Sequence, residues 1–473
     1  MSSKESAAIA SRTFDALVIG TGQAGPSLAV RLGAAGRTVC IVERAQFGGT
    51  CVNYGCTPTK TLVASAGAAH AARTASAYGV DVAGKVSVDM RRVKARKDQV
   101  VGNARGGLEK WLRGSRNVTV MQGEARFTGP RTVAVGGETL SAAMIFINVG
   151  ARSAKPSFPV GDGVAILTAE TMMDVDFLPE HLLVVGGSYI GLEFGQMFRR
   201  FGSRVTVIEM APRLIAREDP YVSDAVREIV EGEGVGVRID AKCIALKRGG
   251  AGIVASAECH EGAPEVEGSH VLVATGRTPN TDGLGLEHAG IEVDKRGYIP
   301  VGEDLQTGAA GIYALGDCNG RGGFTHTAYN DYEIVADNVL EGAHRKVSDR
   351  VPIYALFTDP PLGRIGMTIE QARAMGVPLL VGKRAMTRVS RAVEKGDTRG
   401  FMKAIVDAKS RRILGAAVLG PGGDEAVQTL VDAMTTGITA EQVIRGVRIH
   451  PTVAELIPTI LGELEPLEGD AKR

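Results

Sequence analysis

The sequence predicts an α/β chain: two doubly wound parallel modules followed by a smaller α+β unit with antiparallel strands. Three observations carry that prediction. A buried-strand pattern, a glycine-rich turn, an Ala/Leu-rich helix and a second strand closing on a glutamate follow one another near the N-terminus. The same succession recurs from Leu182. From Val351 onward the pattern changes to alternating strands with two helices.

Residues 14–19 read as a buried parallel strand, followed by Gly20-Thr21-Gly22-Gln23-Ala24-Gly25 and a helix. Residues 38–42 make the next strand, ending at Glu43. The glycines Gly20, Gly22 and Gly25 permit a tight turn and let the helix N-terminus meet a pyrophosphate, while Glu43 is placed to accept hydrogen bonds from a ribose. One such fingerprint is weak evidence, but here there are two. The second runs from Leu182-Leu183-Val184-Val185 through Gly186-Gly187-Ser188-Tyr189-Ile190-Gly191 to a strand over 204–208 and Glu209. Ser188 takes the place of the middle glycine, so the backbone approaches a pyrophosphate slightly less freely. Two modules imply two dinucleotides.

Between them, residues from about 61 to 115 read as long helices and residues 118–149 as short strands with glycine turns. Cys40 lies in an apolar strand pattern and reads as packing. Residues 401–406 and 413–419 read as neighbouring strands of an antiparallel sheet. With 473 residues, 44% of them hydrophobic, the chain is long enough for several cores. A net charge of +1 and no long basic run exclude an electrostatic nucleic-acid partner, and the densest cluster, Arg91-Arg92-Val93-Lys94-Ala95-Arg96-Lys97, reads as the solvated face of a helix. The N-terminus Met1-Ser2-Ser3-Lys4-Glu5 has no apolar run of signal-peptide type, and no stretch reaches the roughly 18 apolar residues of a membrane span. A cytoplasmic protein without a membrane partner is expected.

Six cysteines are present, at 40, 51, 56, 243, 259 and 318, and only Cys51 and Cys56 have motif spacing. In an ideal helix, Cα atoms five residues apart are roughly 8.7 Å from each other, whereas a disulfide needs about 4.4–6.8 Å. Cys51 and Cys56 can therefore close only across a bent backbone, which Gly48, Gly49 and Gly55 permit, and Pro58 suits the first turn of a following helix. Thiolates at a helix start are stabilised by its positive end.

The segment Gly48-Gly49-Thr50-Cys51-Val52-Asn53-Tyr54-Gly55-Cys56-Thr57-Pro58-Thr59-Lys60 resembles the redox-disulfide motif of the FAD-dependent pyridine nucleotide–disulfide oxidoreductases, the group of dihydrolipoyl dehydrogenase, glutathione reductase and mercuric reductase. The resemblance covers nearly the whole chain, with the motifs in the family's order. It implies two Rossmann-like dinucleotide-binding domains, for FAD and NAD(P), plus a C-terminal α+β dimerisation domain. The implied boundaries are 1–150 for the first part of the FAD domain, 151–277 for the NAD(P) domain, 278–350 for the central FAD region and 351–473 for the dimerisation domain.

Roles follow from the same resemblance. Cys56 faces the flavin, Cys51 is the interchange thiol, and Lys60 near the flavin pairs with Glu193, for which an ordinary helix-surface acid is the other reading. Gly49, Thr50, Gly150 and Asp317 join the FAD site; Asp317, in Gly311-Ile312-Tyr313-Ala314-Leu315-Gly316-Asp317, reaches the ribityl hydroxyls or is a simple turn residue. Gly276, with Arg277 to Thr281, closes over the nicotinamide cofactor. His450 and Glu455 in His450-Pro451-Thr452-Val453-Ala454-Glu455 match a base dyad that serves the other subunit of a homodimer. His326 has two readings, cleft lining or structural packing. Glu209 favours a ribose 2′-hydroxyl and hence NADH, with Arg213 near enough to allow some NADPH use. No metal-ligand set is assigned.

Local wording in Tyr54–Lys60, Phe324-Thr325-His326-Thr327 and Glu455-Leu456-Ile457-Pro458-Thr459 is similar to the mercuric-reductase-like branch. The tail lacks that enzyme's cysteine pair, and the chain keeps the histidine–glutamate dyad. The expected activity is electron transfer from NADH through FAD and a Cys51–Cys56 disulfide to a small or lipoyl-type disulfide. The alternatives are reduction of Hg(II), another metal ion or a quinone, and a redox-sensing binding module.

Overall fold

The computed structural model describes residues 11–250, 252–258 and 264–467. The N-terminal Met1–Glu5 segment, Cys259 and the tail beyond 467 lie outside these. The chain divides into two compact units. One gathers the residues through Thr61, Lys94–Ala154 and Gly276–Asp349; the other gathers Leu62–Val93, Lys155–Thr275 and the residues from Arg350 on.

The first unit is built on a parallel sheet in the order Val118–Gln122, Val39–Glu43, Ser11–Ile19, Glu138–Ile147, with Ile312–Ala314 pairing parallel to the last. The Thr132–Val135 and Ala125–Gly129 strands extend it antiparallel. The Val39–Glu43 strand is buried throughout because both sheet faces are covered, so its sequence runs apolar instead of alternating. Cys40 is fully buried in this core, beside Leu17, Ile145 and Ile312.

The second unit holds a parallel sheet ordered Gly236–Arg238, Arg204–Ile208, His181–Val185, His270–Val273, Ile166–Leu167. It also holds an antiparallel sheet ordered Ile353–Leu356, Leu362–Gly366, Ile413–Leu419, Phe401–Asp407, Leu379–Ala385, Glu465–Pro466. The expected pairing of residues 401–406 with 413–419 is present, from Phe401 opposite Leu419 to Val406 opposite Ile413. A core of Ile365, Met402, Val418, Leu430 and Ile457 packs on this sheet.

The long helices expected over about 61–115 are Cys56–Thr74 and Met90–Gly114, separated after Tyr78 where Gly79 and Gly84 take left-handed φ of 74° and 75°. Two expectations change. In the basic cluster, Lys97 is buried while its neighbours Arg91, Arg92 and Arg96 are exposed or half-buried, so one side chain of that face turns inward. In place of two C-terminal helices, the described residues from 350 on hold six short ones, of four to six residues each. Gly422 and Gly437, both left-handed, divide the stretch between them. Among the described residues no helix is long and apolar enough to cross a membrane.

Candidate active site

Each glycine-rich turn is made by the same close approach of backbone to backbone. A Cβ on Gly25 would lie 2.3 Å from the Gly20 carbonyl oxygen, and one on Gly191 would lie 1.9 Å from the Gly186 oxygen. Only glycine lets the helix start this close to its strand. Asn148 closes the first turn: its Oδ1 accepts from Gly25 N at 3.0 Å and its Nδ2 donates to Leu315 O at 3.1 Å. Gly25–Ala34 begins after Ala24, which has no side-chain cap to offer, so its positive end stays open to an anion.

Glu43 and Glu209 occupy corresponding places. Glu43 accepts from Thr21 N at 3.0 Å and Ala45 N at 2.9 Å; Glu209 accepts from Gly187 N at 2.5 Å and Ala211 N at 2.7 Å. Each carboxylate thus fixes its own glycine turn and keeps further lone pairs for a ribose. Ser188 sits at φ −99°, an ordinary extended conformation, so nothing at this middle position demands glycine. Arg213 is half-buried, with a buried Nε that has no hydrogen-bond partner.

In the first unit, Thr50, Arg277 and Asp317 come together. Arg277 lies 3.3 Å from the Asp317 carboxylate and 3.5 Å from Thr50 Oγ1, and its buried Nε has no hydrogen-bond partner. Burial raises the Asp317 carboxyl above its usual range, and Arg277 opposes this. The turn carrying Asp317 is pinned by Asp331, which accepts from Gly316 N at 2.8 Å and Asn319 Nδ2 at 2.9 Å. Gly150 and Gly276, at φ 65° and 141°, begin the antiparallel strands Ala151–Ser153 and Arg277–Pro279. The segment from Gly276, expected to close over the nicotinamide cofactor, is thereby built into the first unit.

The cysteines sit on two helices, Gly49–Asn53 and Cys56–Thr74, broken at Tyr54 and Gly55. A Cβ on Gly55 would come within 3.1 Å of Thr50 O and 3.3 Å of Cys51 Cα, so glycine lets the two helices meet. Asn53 ties down the first, donating to Phe47 O and Gly49 O at 2.9 Å each. Cys51 is half-buried and Cys56 exposed. The Cys51 thiol is held above its ordinary range because Cys56 shares its hydrogen bond and because it is buried. Thr325 was not singled out in the sequence, yet its hydroxyl is 3.1 Å from Cys56 Sγ. A hydroxyl residue opening a helix within the Phe324–Thr327 wording was the available signal.

Lys60 is half-buried, one turn after Cys56 on the same helix face. Glu193, in the second unit, is buried and accepts from Phe357 N at 3.0 Å, which removes the reading as a helix-surface acid. His326 is exposed and stacks on Phe324 with centroids 5.4 Å apart, which removes the packed structural reading. In the second unit, His450 Nδ1 lies 3.0 Å from both Glu455 oxygens. The imidazole is 72% exposed while Glu455 is 14% exposed, so the acid is anchored and the base presented. Among the described residues no group of three His, Cys, Asp or Glu side chains is arranged to hold a metal ion.

Residues 14–331 match the family model described as pyridine nucleotide-disulphide oxidoreductase, and residues 353–460 match its dimerisation domain. The chain belongs to the pyridine nucleotide-disulphide oxidoreductase family. It is an oxidoreductase whose cofactors are FAD and a pyridine nucleotide. The glycine cradles and the half-buried Asp317 beside Arg277 fit two such groups. The chain is 35% identical to a dihydrolipoyl dehydrogenase of Thermus scotoductus, over 94% of this chain and 96% of that protein. It is equally 35% identical to a mercuric reductase of Streptomyces lividans, over 94% of each. The Cu(II) complex of the HOCl-induced flavoprotein disulfide reductase RclA from Escherichia coli superposes with a TM-score of 0.86 at 33% identity, covering 96% of this chain and 99% of that one.

Proposed function

We propose that this family member is an NADH-dependent reductase of small or lipoyl-type disulfides, working in the cytoplasm as a homodimer whose active site is shared between subunits. FAD, when bound, supplies the two-electron link between the nicotinamide and the Cys51–Cys56 pair. The observation that carries the reading is the presented base: the exposed His450 has its Nδ1 3.0 Å from both oxygens of the largely buried Glu455. The Cys51 thiol, raised above its ordinary range by Cys56 and by burial, gives that base a proton to remove.

The chemistry the residues perform balances without further groups. His450 takes the Cys51 proton, and the thiolate attacks one sulfur of the substrate disulfide, forming a mixed disulfide and releasing a thiolate. His450 returns its proton to that leaving thiolate. Cys56 then gives its proton to His450 and attacks the Cys51 sulfur, forming the Cys51–Cys56 disulfide, and His450 passes that proton to the second departing thiolate. The Thr325 hydroxyl, 3.1 Å away, steadies the Cys56 sulfur while it waits. Val447 and Ile449 are 96% and 80% exposed immediately before His450, which supports covering of this segment by a second copy. Glu209 supports a preference for NADH, and the unpartnered Arg213 Nε supports some use of NADPH.

A metal-ion reductase is the second reading, supported by the exposed Cys56 beside Cys51 and by the equal likeness to a mercuric reductase. The deciding experiment follows NADH consumption by the purified protein with lipoamide, beside thiol-complexed Hg(II). Turnover of lipoamide that falls by about ten- to a hundredfold in Glu455→Gln supports the disulfide reading. Turnover of Hg(II) alone, unaffected by Glu455→Gln, overturns it.

A further inference from the structure

Ile215 occupies the left-handed region at φ 40°, which a β-branched residue rarely adopts. Such strain persists where surrounding structure overdetermines it. Here both sides of the residue are held. Its N–H donates to Gly187 O at 2.9 Å, inside the second glycine turn, and its carbonyl accepts from Glu218 N at 2.8 Å. Leu214 packs against Gly187, leaving only 2.6 Å between its Cδ2 and a Cβ placed there, and Arg213 precedes it. The turn from Arg213 to Glu218 is thus the second wall of the glycine loop.

The far end of this turn is gripped by the C-terminal antiparallel sheet. Tyr354 and Arg364 are direct cross-strand partners, so their side chains share one sheet face. The Tyr354 hydroxyl donates a hydrogen bond to Glu218 Oε1. Arg364 lies 3.6 Å from Glu218 Oε2 and 3.4 Å from Asp219 Oδ2. Asp219 Oδ1 accepts from Ile369 N at 2.9 Å. Both acids are buried, so each depends on these partners to stay in place.

We propose that Tyr354 and Arg364 are positioning residues for the nicotinamide nucleotide: by holding Glu218 and Asp219 they keep the strained Ile215 turn closed on Gly187 and aim Arg213. The proposal rests on the reading of this module as the nicotinamide site. None of these side chains belongs to the glycine turn itself; the effect travels through two buried carboxylates and one strained residue.

Tyr354→Phe keeps the ring and removes only the hydroxyl. With the dye dichlorophenolindophenol as acceptor, its KM for NADH should rise about three- to tenfold while kcat stays within about twofold, since a buried acceptor loses its donor. Ile215→Gly relieves the φ, and in that background Tyr354→Phe should no longer move the KM. An unchanged KM for NADH in Tyr354→Phe, or fully additive effects of the two substitutions, would overturn the proposal even if the melting temperature falls. A wild-type protein that binds neither NADH nor NADPH by equilibrium dialysis overturns the reading of the module and the proposal with it. Binding by wild type and equal binding by Tyr354→Phe overturns the proposal alone.

Discussion

Gly191→Ala tests the second glycine turn in the terms that built it. A Cβ there would stand 1.9 Å from the Gly186 carbonyl oxygen. An ordinary carbon–oxygen contact is about 3.3 Å, so the carbonyl must retreat by roughly 1.4 Å. It has little room to do so, because Gly186 N donates to Ile208 O at 2.8 Å and its φ is already 117°. Overpacking against backbone costs about 1–3 kcal/mol, and each 1.4 kcal/mol is about tenfold in affinity. The KM for NADH should therefore rise by about ten- to a hundredfold. The assay is anaerobic bleaching of the flavin, first by NADH and then by dithiothreitol. Expected is slow, weakly saturating bleaching by NADH and normal bleaching by the dithiol, with FAD content unchanged. A normal KM for NADH would refute the reasoning that the backbone approach of Gly191 shapes the nicotinamide site.

Glu455→Gln should lower lipoamide turnover by about ten- to a hundredfold, the scale of a disabled general base, while NADH-to-dye turnover stays unchanged; equal losses in both would place the dyad outside thiol exchange. Cys51→Ser should keep the long-wavelength absorbance that appears on reduction, and Cys56→Ser should lose it; the reverse pattern exchanges the roles of the two cysteines. Lys403 is buried over the Tyr221 ring at 3.9 Å, and burial pushes its ammonium down to about 8. The folded state then binds fewer protons than the unfolded one between about pH 8 and 10.5, so stability rises with pH across that window. Lys403→Met should stabilise the protein by about 1–2 kcal/mol at pH 7, after the lost cation–π contact is subtracted, and the gain should disappear above about pH 10.5 in urea melts. A gain independent of pH would show that packing, not charge, is responsible.

The two nucleotide modules were legible because their signals are local. An apolar run, three small residues at fixed spacing and a glutamate about twenty positions on specify strand, turn and helix with no help from the rest of the chain. The cysteine pair was legible for the same reason, since the bend that Gly55 allows lies between the two residues it brings together. What stayed hidden depends on partners far apart in sequence. The Phe324–Thr327 wording marks Thr325 as a hydroxyl opening a helix but not its partner Cys56, 269 positions earlier, and nothing near Tyr354 indicates Glu218, 136 positions earlier. Lys97 has the composition of a solvated face, and only tertiary packing turns it inward. The short C-terminal helices were merged into two because apolar periodicity runs on across the glycines that interrupt them.

The proton on Cys51 links the legible and the hidden parts of the site. The Cys51 thiol is held above its ordinary range by its hydrogen bond with Cys56 and by burial, so it is a poor thiolate. A nucleophile held in that state attacks nothing until a base removes the proton. The base must therefore be oriented, reachable and free of competing partners at its outer nitrogen. His450 meets the first condition through two 3.0 Å contacts at Nδ1, which leave Nε2 pointing the other way around the ring. It meets the second through its exposure, which the proposed role toward a second subunit requires. An exposed histidine flanked by Val447 and Ile449 makes little sense in an isolated monomer, where the apolar side chains only cost solubility. Dilution below the dimer dissociation constant should accordingly abolish lipoamide turnover while flavin bleaching by NADH continues. Sedimentation velocity run beside the assay gives the comparison, and a monomer that still reduces lipoamide would refute the shared site.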